Sequence, residues 1–592
     1  MVRCARLAIV AAAIWMLPVA VAEDGDSGAD RQLQVVIGEH WEYLLSEHPD
    51  MATSAGVDAF NDRMPRVAAD DRSRRLAAER RFLARVRDLD RGRLSPGGRI
   101  DADLLAWVLE DSIRAYELNL ARIPFNTFSG FFMTALTASS GVRMTDAGDY
   151  RDYLARLRDI PRYFEENIEN LREGVATGFV LPRVVIDGVL PTIRAQVKQD
   201  AALSSFYAPF NDMAAAVPQA EQQALKAEAA RVISERVMPA FARLADFLES
   251  EYRASDSIAA HDMRGGQDYY AFNIKRYTTV EGLTPDVVHE IGLREVARIR
   301  AEMEALVKQV GFDGDLAAFS EFLRTDPRFY ADSAEALLKE AAWIAKRIDY
   351  VMPAYFGKLP RQSYGVVPVP DEIAPNYTTG AYYGAPPGGA HGGEFWVNTH
   401  ALNQRPLYEL PALTLHEAVP GHHHQNALSL ELEDTPDFRR NLYFSAFGEG
   451  WGLYSEKLGV EMGVYRTPYE DFGRLSYEMW RACRLVVDTG MHAQGWTRDR
   501  SIEYFVQNTS LSEANIRAEV DRYISWPGQA LAYKLGELKI WELRRLAQQE
   551  LGSAFDLREF HDVILGHGAV PLDMLEELVR AFIAGKQAAA IN

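Results

Sequence analysis

Cysteine is almost absent from this sequence. Its 592 residues include only Cys4 and Cys483. Cys4 belongs to an N-terminal segment that we expect to be removed, so the mature chain keeps one cysteine and forms no internal disulfide. Cys483 stands in the helix-patterned stretch MWRACRLVV without the surroundings of a catalytic thiol, and we expect it to be buried. The sequence also lacks a G-x-S-x-G elbow, which argues against serine-hydrolase chemistry.

A hydrophobic run long enough to span a membrane is missing too. The apolar segment LAIVAAAIWMLPVAV has 15 residues and contains Pro18, whereas a span needs about 20. It follows Arg3 and Arg6 and leads into small residues up to Ala22, as a secretion signal does. We therefore expect residues 1–22 to be a cleaved signal peptide. The mature protein is then periplasmic or secreted, with no stable membrane insertion.

Positive charge is in deficit. The chain has 64 lysines and arginines against 84 aspartates and glutamates, which gives a formal net charge of −20. A surface of this sign repels the phosphates of nucleic acids and of anionic lipids. We therefore expect no nucleic-acid partner. The sequence carries no signal for an oligomeric state.

The hydrophobic pattern favours a mainly α fold. In the segments 101–123, 224–254 and 333–356, apolar residues recur every three or four positions, as they do on one face of a helix. The region 360–400 differs: SYGVVPVP, TTGAYYGAP and GGEFWVNT are short, rich in β-branched and aromatic residues, and bounded by Gly and Pro. This composition predicts a small antiparallel sheet.

A break in the helical pattern suggests two lobes. The stretch ASDSIAAHDMRGGQD, near residues 254–268, is polar and contains a Gly pair. We therefore predict an N-terminal helical lobe over 23–260. The second lobe, 261–592, contains the small sheet and further helices up to the C-terminus.

The segment TLHEAVPGHHHQ concentrates residues that bind zinc. His416 and Glu417 begin the pattern H-E-x-x-H, in which two histidines one turn apart bind the metal and the glutamate acts as a base. Pro420 stands where the second histidine is expected. Because proline and the glycine after it interrupt helices, a loop here can return His422 to the metal. The alternative ligand is His423, seven residues after His416.

A third zinc ligand is expected from a separate helix. Glu449, in SAFGEGWGLYSEKLG, follows the histidine cluster and supplies a carboxylate. Glu456 lies two turns later on the same helix face, where it can orient a ligand histidine through the other ring nitrogen. A second His–Glu pair, His289–Glu290, has no histidine after it, and we interpret it as helix surface.

Four segments together resemble a known bacterial family. HEAVPGHHHQ, GEGWGLYSE, RLVVDTGMHAQGW and RYISWPGQALAYKLGE are similar to the signatures of a family catalogued as a domain of unknown function. That family in turn resembles the gluzincin metallopeptidases, such as thimet-oligopeptidase-like enzymes, Taq-type carboxypeptidases and angiotensin-converting enzyme. The resemblance implies a mainly α, bilobed fold with one Zn²⁺ per chain at the floor of a channel. It also implies His416, His422 and Glu449 as ligands and Glu417 as the catalytic base.

The resemblance implies further catalytic residues in the last third of the chain. In related gluzincins, a tyrosine or histidine of a C-terminal helix stabilises the oxyanion, and Tyr523, Tyr533 and His492 are the candidates here. Arg484, Asp488 and His492 follow one another at i+4 spacing on one helix face. They form either a stabilising chain of ion pairs or a site in which Asp488 orients His492 and Arg484 binds a peptide carboxylate.

The predicted sheet offers a place for an extended peptide. Tyr382 and Tyr383 precede the GGEFWVN strand, which contains Glu394. An exposed strand edge there would bind a peptide by main-chain hydrogen bonds, with these side chains at the rim.

The function that the sequence favours is zinc-dependent hydrolysis of short peptides. Two alternatives remain open: a zinc hydrolase that acts on non-peptide amides, and a catalytically degenerate periplasmic protein that binds metal or peptide. Cleavage at a peptide terminus and cleavage at an internal bond are equally compatible with the sequence.

Overall fold

The computed structural model describes residues 27–197, 200–371, 373–385, 391–433 and 435–591. The predicted signal peptide, 1–22, lies outside these residues. The described part of the chain is mainly helical. Its helices are α1 (Ser27–Glu47), α2 (Pro49–Ser54), α3 (Ala69–Arg87), α4 (Pro96–Glu117), α5 (Phe131–Leu136), α6 (Ala147–Thr177), α7 (Arg183–Arg194), α8 (Gln219–Val232), α9 (Met238–Ser250), α10 (Gly266–Thr278), α11 (Pro285–Gln309), α12 (Leu316–Thr325), α13 (Ala334–Val351), α14 (Leu410–Glu417), α15 (His422–Leu430), α16 (Asp437–Arg440), α17 (Ser445–Glu461), α18 (Pro468–Ala493), α19 (Arg498–Asn508), α20 (Glu513–Ser525), α21 (Ala532–Leu551), α22 (Leu557–Leu565) and α23 (Leu572–Ile591). The strands are β1 (Tyr364–Pro368), β2 (Gly380–Tyr383) and β3 (Gly393–Val397).

The helix boundaries follow local capping chemistry. The Asp146 side chain accepts hydrogen bonds from the first-turn N–H groups of α6, and Gly178 ends that helix in a left-handed conformation. Thr467 caps α18 in the same way, with Pro468 at its first position. The three segments with helical periodicity are helical as predicted, and α13 ends before Pro353.

The small sheet is mixed, so the prediction of an antiparallel sheet was wrong in part. The strand order is β1-β3-β2. Strand β2 pairs antiparallel with β3, but β1 pairs parallel with it. The reason is the connection after β1, which carries the chain across to the far edge before β2 begins. Strand β2 is therefore an edge strand of the sheet.

Two large hydrophobic cores hold the helices together. One gathers side chains from Met64 to Ala530, and the other joins Ala29–Ile113 side chains to those between Leu337 and Ile583. Each core therefore draws residues from both sides of residue 260. The predicted division into 23–260 and 261–592 does not follow the packing of the cores.

Helix α18 runs through the middle of this packing and is buried over most of its length. Cys483 lies on it and is fully buried, as predicted. The prediction that His289 lies on the helix surface was wrong. Helix α11 packs along α18, so His289 is 7% exposed and its Nδ1 lies 2.8 Å from the Thr489 hydroxyl.

None of the helices in the described ranges combines the length and the hydropathy that crossing a bilayer would need.

A close crossing of α17 and α21 should be sensitive to one methyl group. A Cβ on Gly536 would lie 2.0 Å from the Ala446 carbonyl oxygen and 2.7 Å from the Gly450 Cα. We expect Gly536→Ala to force the helices apart and to lower the free energy of unfolding by about 1–3 kcal/mol. The matched control is Gly585→Ala on α23, where a Cβ meets nothing within 4 Å and should be neutral or stabilising. Denaturant unfolding of both variants measures the free energy of unfolding. Equal unfolding midpoints for the two variants would contradict the prediction.

Candidate metal centre

The helix interruption predicted at Pro420 is present. Helix α14 ends at Glu417, α15 begins at His422, and the residues 418–421 form a loop between them. The indole Nε1 of Trp451, on α17, donates to the Pro420 carbonyl oxygen at 2.7 Å. The loop is thereby held against the helix that carries the third member of the site.

Three side chains converge at this point. The rings of His416 and His422 lie with their centroids 4.7 Å apart. The Oε2 atom of Glu449 is 3.5 Å from Nε2 of His416 and 3.5 Å from Nε2 of His422. The other carboxylate oxygen, Oε1, accepts a hydrogen bond from the Tyr443 hydroxyl at 3.0 Å. The carboxylate therefore directs one oxygen to the imidazoles and the other to a tyrosine.

The second ring nitrogen of His416 is also engaged. Its Nδ1 lies 2.8 Å from Oε1 of Glu456, which is fully buried. The Tyr465 hydroxyl donates to the Glu456 backbone carbonyl oxygen at 2.6 Å. The ring fits because position 452 is glycine: a Cβ there would lie 2.6 Å from Cε1 of His416. These contacts fix the ring so that Nε2 faces Glu449.

The electrostatics of the cluster favour a positive charge at its centre. Burial alone would lower the pKa of His416, but hydrogen bonds to the Glu449 and Glu456 carboxylates raise it to about 10. Burial likewise opposes ionisation of Glu449, yet the two imidazoles hold the pKa of its carboxyl well below the usual range. The site is thus arranged around shared positive charge, which a bound cation would replace.

The donor set suits a divalent metal with nitrogen and oxygen ligands. One ligand atom from each of His416, His422 and Glu449 lies within 4.8 Å of the other two. Two ligands about 2.05 Å from a tetrahedral zinc ion are about 3.4 Å apart, close to the two 3.5 Å separations here. Three such ligands leave a fourth position for water or substrate.

The cluster borders a cavity of about 700 Å³, a volume suited to a ligand of a few residues. Glu417 lines it and is half-buried beside His416. The predicted residues Tyr382, Arg484 and Tyr533 also line it. These side chains come from β2, α18 and α21, so elements that are distant in sequence line the same cavity.

The neighbouring histidines point away from the cluster. Nδ1 of His423 lies 3.1 Å from the Tyr382 hydroxyl, and Nε2 lies 3.1 Å from the Gln362 carbonyl oxygen. Burial lowers the pKa of His423 to about 4. The ring of His424 packs on Phe356. Of the two candidates left open by the sequence, the geometry brings His422 to the site and leaves His423 as a neighbour of Tyr382.

Tyr523 lies behind the wall of the cavity. Its ring is 1% exposed, and its hydroxyl donates to Glu519 at 2.5 Å while it accepts from Arg484 at 2.8 Å and from Trp480 at 3.1 Å. These partners occupy the hydroxyl. Its placement supports a role in holding Arg484 and not the predicted role of oxyanion donor.

The structure does not bring His492 or Asp488 to the cluster. Both ring nitrogens of His492 face backbone groups, the Ala260 N–H at 3.2 Å and the Tyr523 carbonyl oxygen at 3.0 Å. Asp488 accepts from the Tyr270 hydroxyl at 2.6 Å and from the Gly528 N–H at 3.1 Å. Spacing of i+4 places residues on one face of α18, but each meets a different neighbouring element. Neither the chain of ion pairs nor the orienting role predicted for Asp488 is present.

Tyr383 and Glu394 lie away from the cavity. The ring of Tyr383 packs on Trp396, with centroids 4.4 Å apart, and its hydroxyl is 2.6 Å from that of Tyr377. Glu394 accepts from Nε1 of the same Trp396 at 2.8 Å. Successive residues of a strand face opposite sides, so Tyr382 alone of these predicted rim residues reaches the cavity.

Sequence reasoning missed two residues of the site. Tyr443 lines the cavity and donates to Glu449. Arg481 lines the cavity too, and its Nη2 lies 3.5 Å from Oε1 of Glu456. Arg481 lies one turn before Arg484 on α18, so helical spacing was a usable signal for it. Tyr443 precedes α17 in an irregular segment, where no periodicity marks it.

Asp488 should make stability depend on pH. Burial outweighs its hydrogen bonds and raises its pKa to about 7, against about 3.9 in the unfolded chain. The folded state therefore holds a proton that the unfolded state releases, and stability falls as pH rises from about 4 to about 7, by at most about 4 kcal/mol. We expect Asp488→Asn to flatten this decline, measured as melting temperature against pH. Parallel curves for the variant and the parent would contradict the assignment.

Comparison with known proteins places the chain in a family. A crystal structure of a proposed lipoprotein from Colwellia psychrerythraea shares 28% identity with a TM-score of 0.87, covering 94% of this chain and 99% of that one. A proposed lipoprotein of unknown function from Shewanella oneidensis shares 17% identity and the fold, with a TM-score of 0.72 over 92% and 99% of the two chains. No curated protein matches significantly. Residues 49–579 match the family described as bacterial protein of unknown function, DUF885, and the chain belongs to that family.

Proposed function

We propose that this protein is a zinc-dependent peptidase that hydrolyses short peptides. The observation that carries the proposal is the convergence of His416, His422 and Glu449, whose Oε2 lies 3.5 Å from each imidazole Nε2, beside Glu417 at the edge of a cavity of about 700 Å³. The same set supports the resemblance to gluzincin peptidases, which use two histidines and a glutamate in this way.

Zinc bound by these ligands would supply a Lewis acid that makes a water molecule nucleophilic near neutral pH. The chain itself supplies the base. Glu417 adjoins the ligand His416 at the end of α14 and faces the cavity, so it can take a proton from water and return it to the leaving amine. Glu456 keeps the His416 ring oriented while this happens.

One tyrosine of the cavity is available to stabilise the oxyanion. Tyr533 lines the cavity from α21, whereas the single O–H of Tyr443 already donates to Glu449. A hydroxyl that donates a hydrogen bond to developing negative charge contributes about 10²–10³ in rate. Tyr533 was predicted for this role, and Tyr443 instead holds the Glu449 carboxylate.

The edge strand favours a peptide over other amides. Thr378–Tyr382 contribute to the cavity lining, and among the described residues β2 pairs with β3 alone. An extended peptide can add to such an edge through main-chain hydrogen bonds that do not depend on its side chains. A small non-peptide amide would leave that edge unused.

The proposal includes export from the cytoplasm. The N-terminal sequence has the pattern of a secretion signal. Both structural relatives are described as proposed lipoproteins, which are exported proteins. Peptides outside the cytoplasm are then the substrates available to the enzyme.

The base assignment gives one test. We expect Glu417→Gln to keep zinc at one ion per chain, because Glu417 is not a ligand, and to lose peptide hydrolysis by about 10²–10⁴-fold. The control is Glu461→Gln on α17, whose exposed carboxylate pairs with Arg544 outside the cavity and should leave turnover unchanged. Turnover is measured by mass spectrometry on a mixed peptide library. Undiminished hydrolysis by Glu417→Gln would refute the assigned base.

The ligand assignment gives a second test. His422→Ala removes one of three ligands, so we expect the variant to lose its zinc on dialysis, whereas His423→Ala should retain it because that ring faces Tyr382 and Gln362. The zinc content of both variants is measured by mass spectrometry, and circular dichroism checks that they are folded. Loss of zinc from His423→Ala alone would show that the loop presents the other histidine.

A further inference from the structure

The N-terminal part of the chain contributes one exposed aromatic ring to the cavity. Phe128 lies in the segment between α4 and α5, lines the cavity and is 59% exposed. Every other described residue that lines the cavity comes from position 378 or later. A phenyl ring left in water forgoes the free energy that its burial would supply. The position of this ring at the cavity indicates that a bound ligand covers it.

The segment that carries Phe128 is fixed by its backbone and by its neighbours. The side-chain oxygen of Asn126 accepts hydrogen bonds from the Phe128 and Ser129 N–H groups, both at 2.7 Å. The N–H and the hydroxyl of Thr127 lie 3.3 Å and 2.8 Å from the hydroxyl oxygen of Ser525, at the end of α20. These contacts hold the backbone against the cavity without help from the phenyl ring. A substitution of Phe128 should therefore leave the segment intact.

Phe128 belongs to a continuous group of aromatic and arginine side chains. The guanidinium carbon of Arg522 lies 5.4 Å from the centre of the Phe128 ring, and its Nη2 lies 3.4 Å from the Tyr533 hydroxyl oxygen. Arg484 lies between Tyr533 and Trp480, with its guanidinium carbon 4.3 Å and 4.5 Å from the two ring centres. All five side chains line the cavity. Contacts thus link Phe128 to Tyr533, the candidate oxyanion donor.

The two guanidinium groups in this part of the cavity are paired with protein groups. Arg522 donates to Glu519 at 3.3 Å and to Gln529 at 2.5 Å. Arg484 is only 3% exposed, and it donates to the Tyr523 hydroxyl at 2.8 Å and to Glu519 at 3.2 Å. Neither arginine therefore needs an anion from outside the chain. What this part of the cavity offers a ligand is mainly aromatic ring surface.

Two tryptophans extend that ring surface. Trp480, on α18, and Trp526, directly after α20, line the same cavity, and both are half-buried. The indole Nε1 of Trp480 donates to the Tyr523 hydroxyl at 3.1 Å, and that of Trp526 donates to the Tyr277 hydroxyl at 2.5 Å. Because the N–H of each indole is engaged within the protein, the carbon atoms of the rings remain for the cavity. Ring surface of this kind suits an apolar side chain better than a charged one.

We propose that Phe128, Trp480 and Trp526 form a subsite for an aromatic or large aliphatic side chain of the peptide substrate. The inference deepens the proposed peptidase function and rests on it. It names a substrate class, peptides with a bulky apolar residue, which the motifs of the sequence do not indicate. Phe128 is the substrate-binding residue that the N-terminal part of the chain supplies.

Matched peptides test the inference in the zinc-loaded protein. A series of short alanine peptides carries phenylalanine, leucine or aspartate at each position in turn. At one position, we expect kcat/KM to be about 10–100-fold higher for phenylalanine than for alanine, because the subsite removes the ring from water. Leucine should fall between the two, and aspartate should be no better than alanine. Equal values for phenylalanine and alanine at every position, or aspartate as good as phenylalanine, would overturn the inference.

Substitution of Phe128 locates the effect. We expect Phe128→Ala to lower the phenylalanine-to-alanine ratio of kcat/KM about tenfold, and Phe128→Trp to keep most of it, because the indole retains an aromatic face. The control is Tyr350→Ala on α13, which removes a ring that is 86% exposed and does not line the cavity. The ratio should not change in this control. An unchanged ratio in Phe128→Ala, or an equal loss in Tyr350→Ala, would overturn the inference.

Binding separates this inference from the proposed function. Calorimetry with the Glu417→Gln protein and the same peptides measures the preference for phenylalanine without turnover. Tighter binding of the phenylalanine peptide than of the alanine peptide, with no hydrolysis by the parent protein, would refute the peptidase and keep the subsite. Equal binding of the two, with equal hydrolysis of both by the parent protein, would refute the subsite and keep the peptidase. Neither binding nor hydrolysis of any peptide would refute both.

Discussion

The hydrogen bond between Nδ1 of His416 and the buried carboxylate of Glu456 is the contact on which the site depends. It fixes which face of the imidazole meets Glu449 and which nitrogen remains for a metal. Glu456 has no exposure to solvent, so water does not stabilise a charge on its carboxylate. The His416 ring and the Arg481 guanidinium are the groups beside it that do. A histidine free to rotate would not hold its Nε2 3.5 Å from Glu449.

Helix α17 makes that arrangement possible by carrying several of the residues that form the site. It supplies Glu449 as a candidate ligand, Glu456 as the partner of His416, and Trp451 as the donor that holds the loop. Gly452 leaves space for the ring of His416. The same helix crosses α21 at close range, so packing in the core transmits directly to the positions of the site residues. The site is thus a property of the helix packing and not of a mobile loop.

His416, Glu417, His422 and Glu449 could be predicted from the sequence because each is marked by residues close to it in the chain. Helical spacing relates Glu449 to Glu456, and Pro420 marks the loop between the histidines. Long-range contacts could not be read in this way. Spacing put His492 on a shared face of α18 but not in the core, and it gave no sign that β1 would pair parallel with β3. Those outcomes depend on which element each face meets.

Anomalous diffraction at the zinc absorption edge, from crystals of the zinc-loaded protein, tests the central claim most directly. The account predicts one strong peak per chain, about 2.0–2.2 Å from Nε2 of His416, Nε2 of His422 and Oε2 of Glu449. Nδ1 of His416 should remain on Glu456. A peak on other residues, or none at this position after loading, would contradict the account.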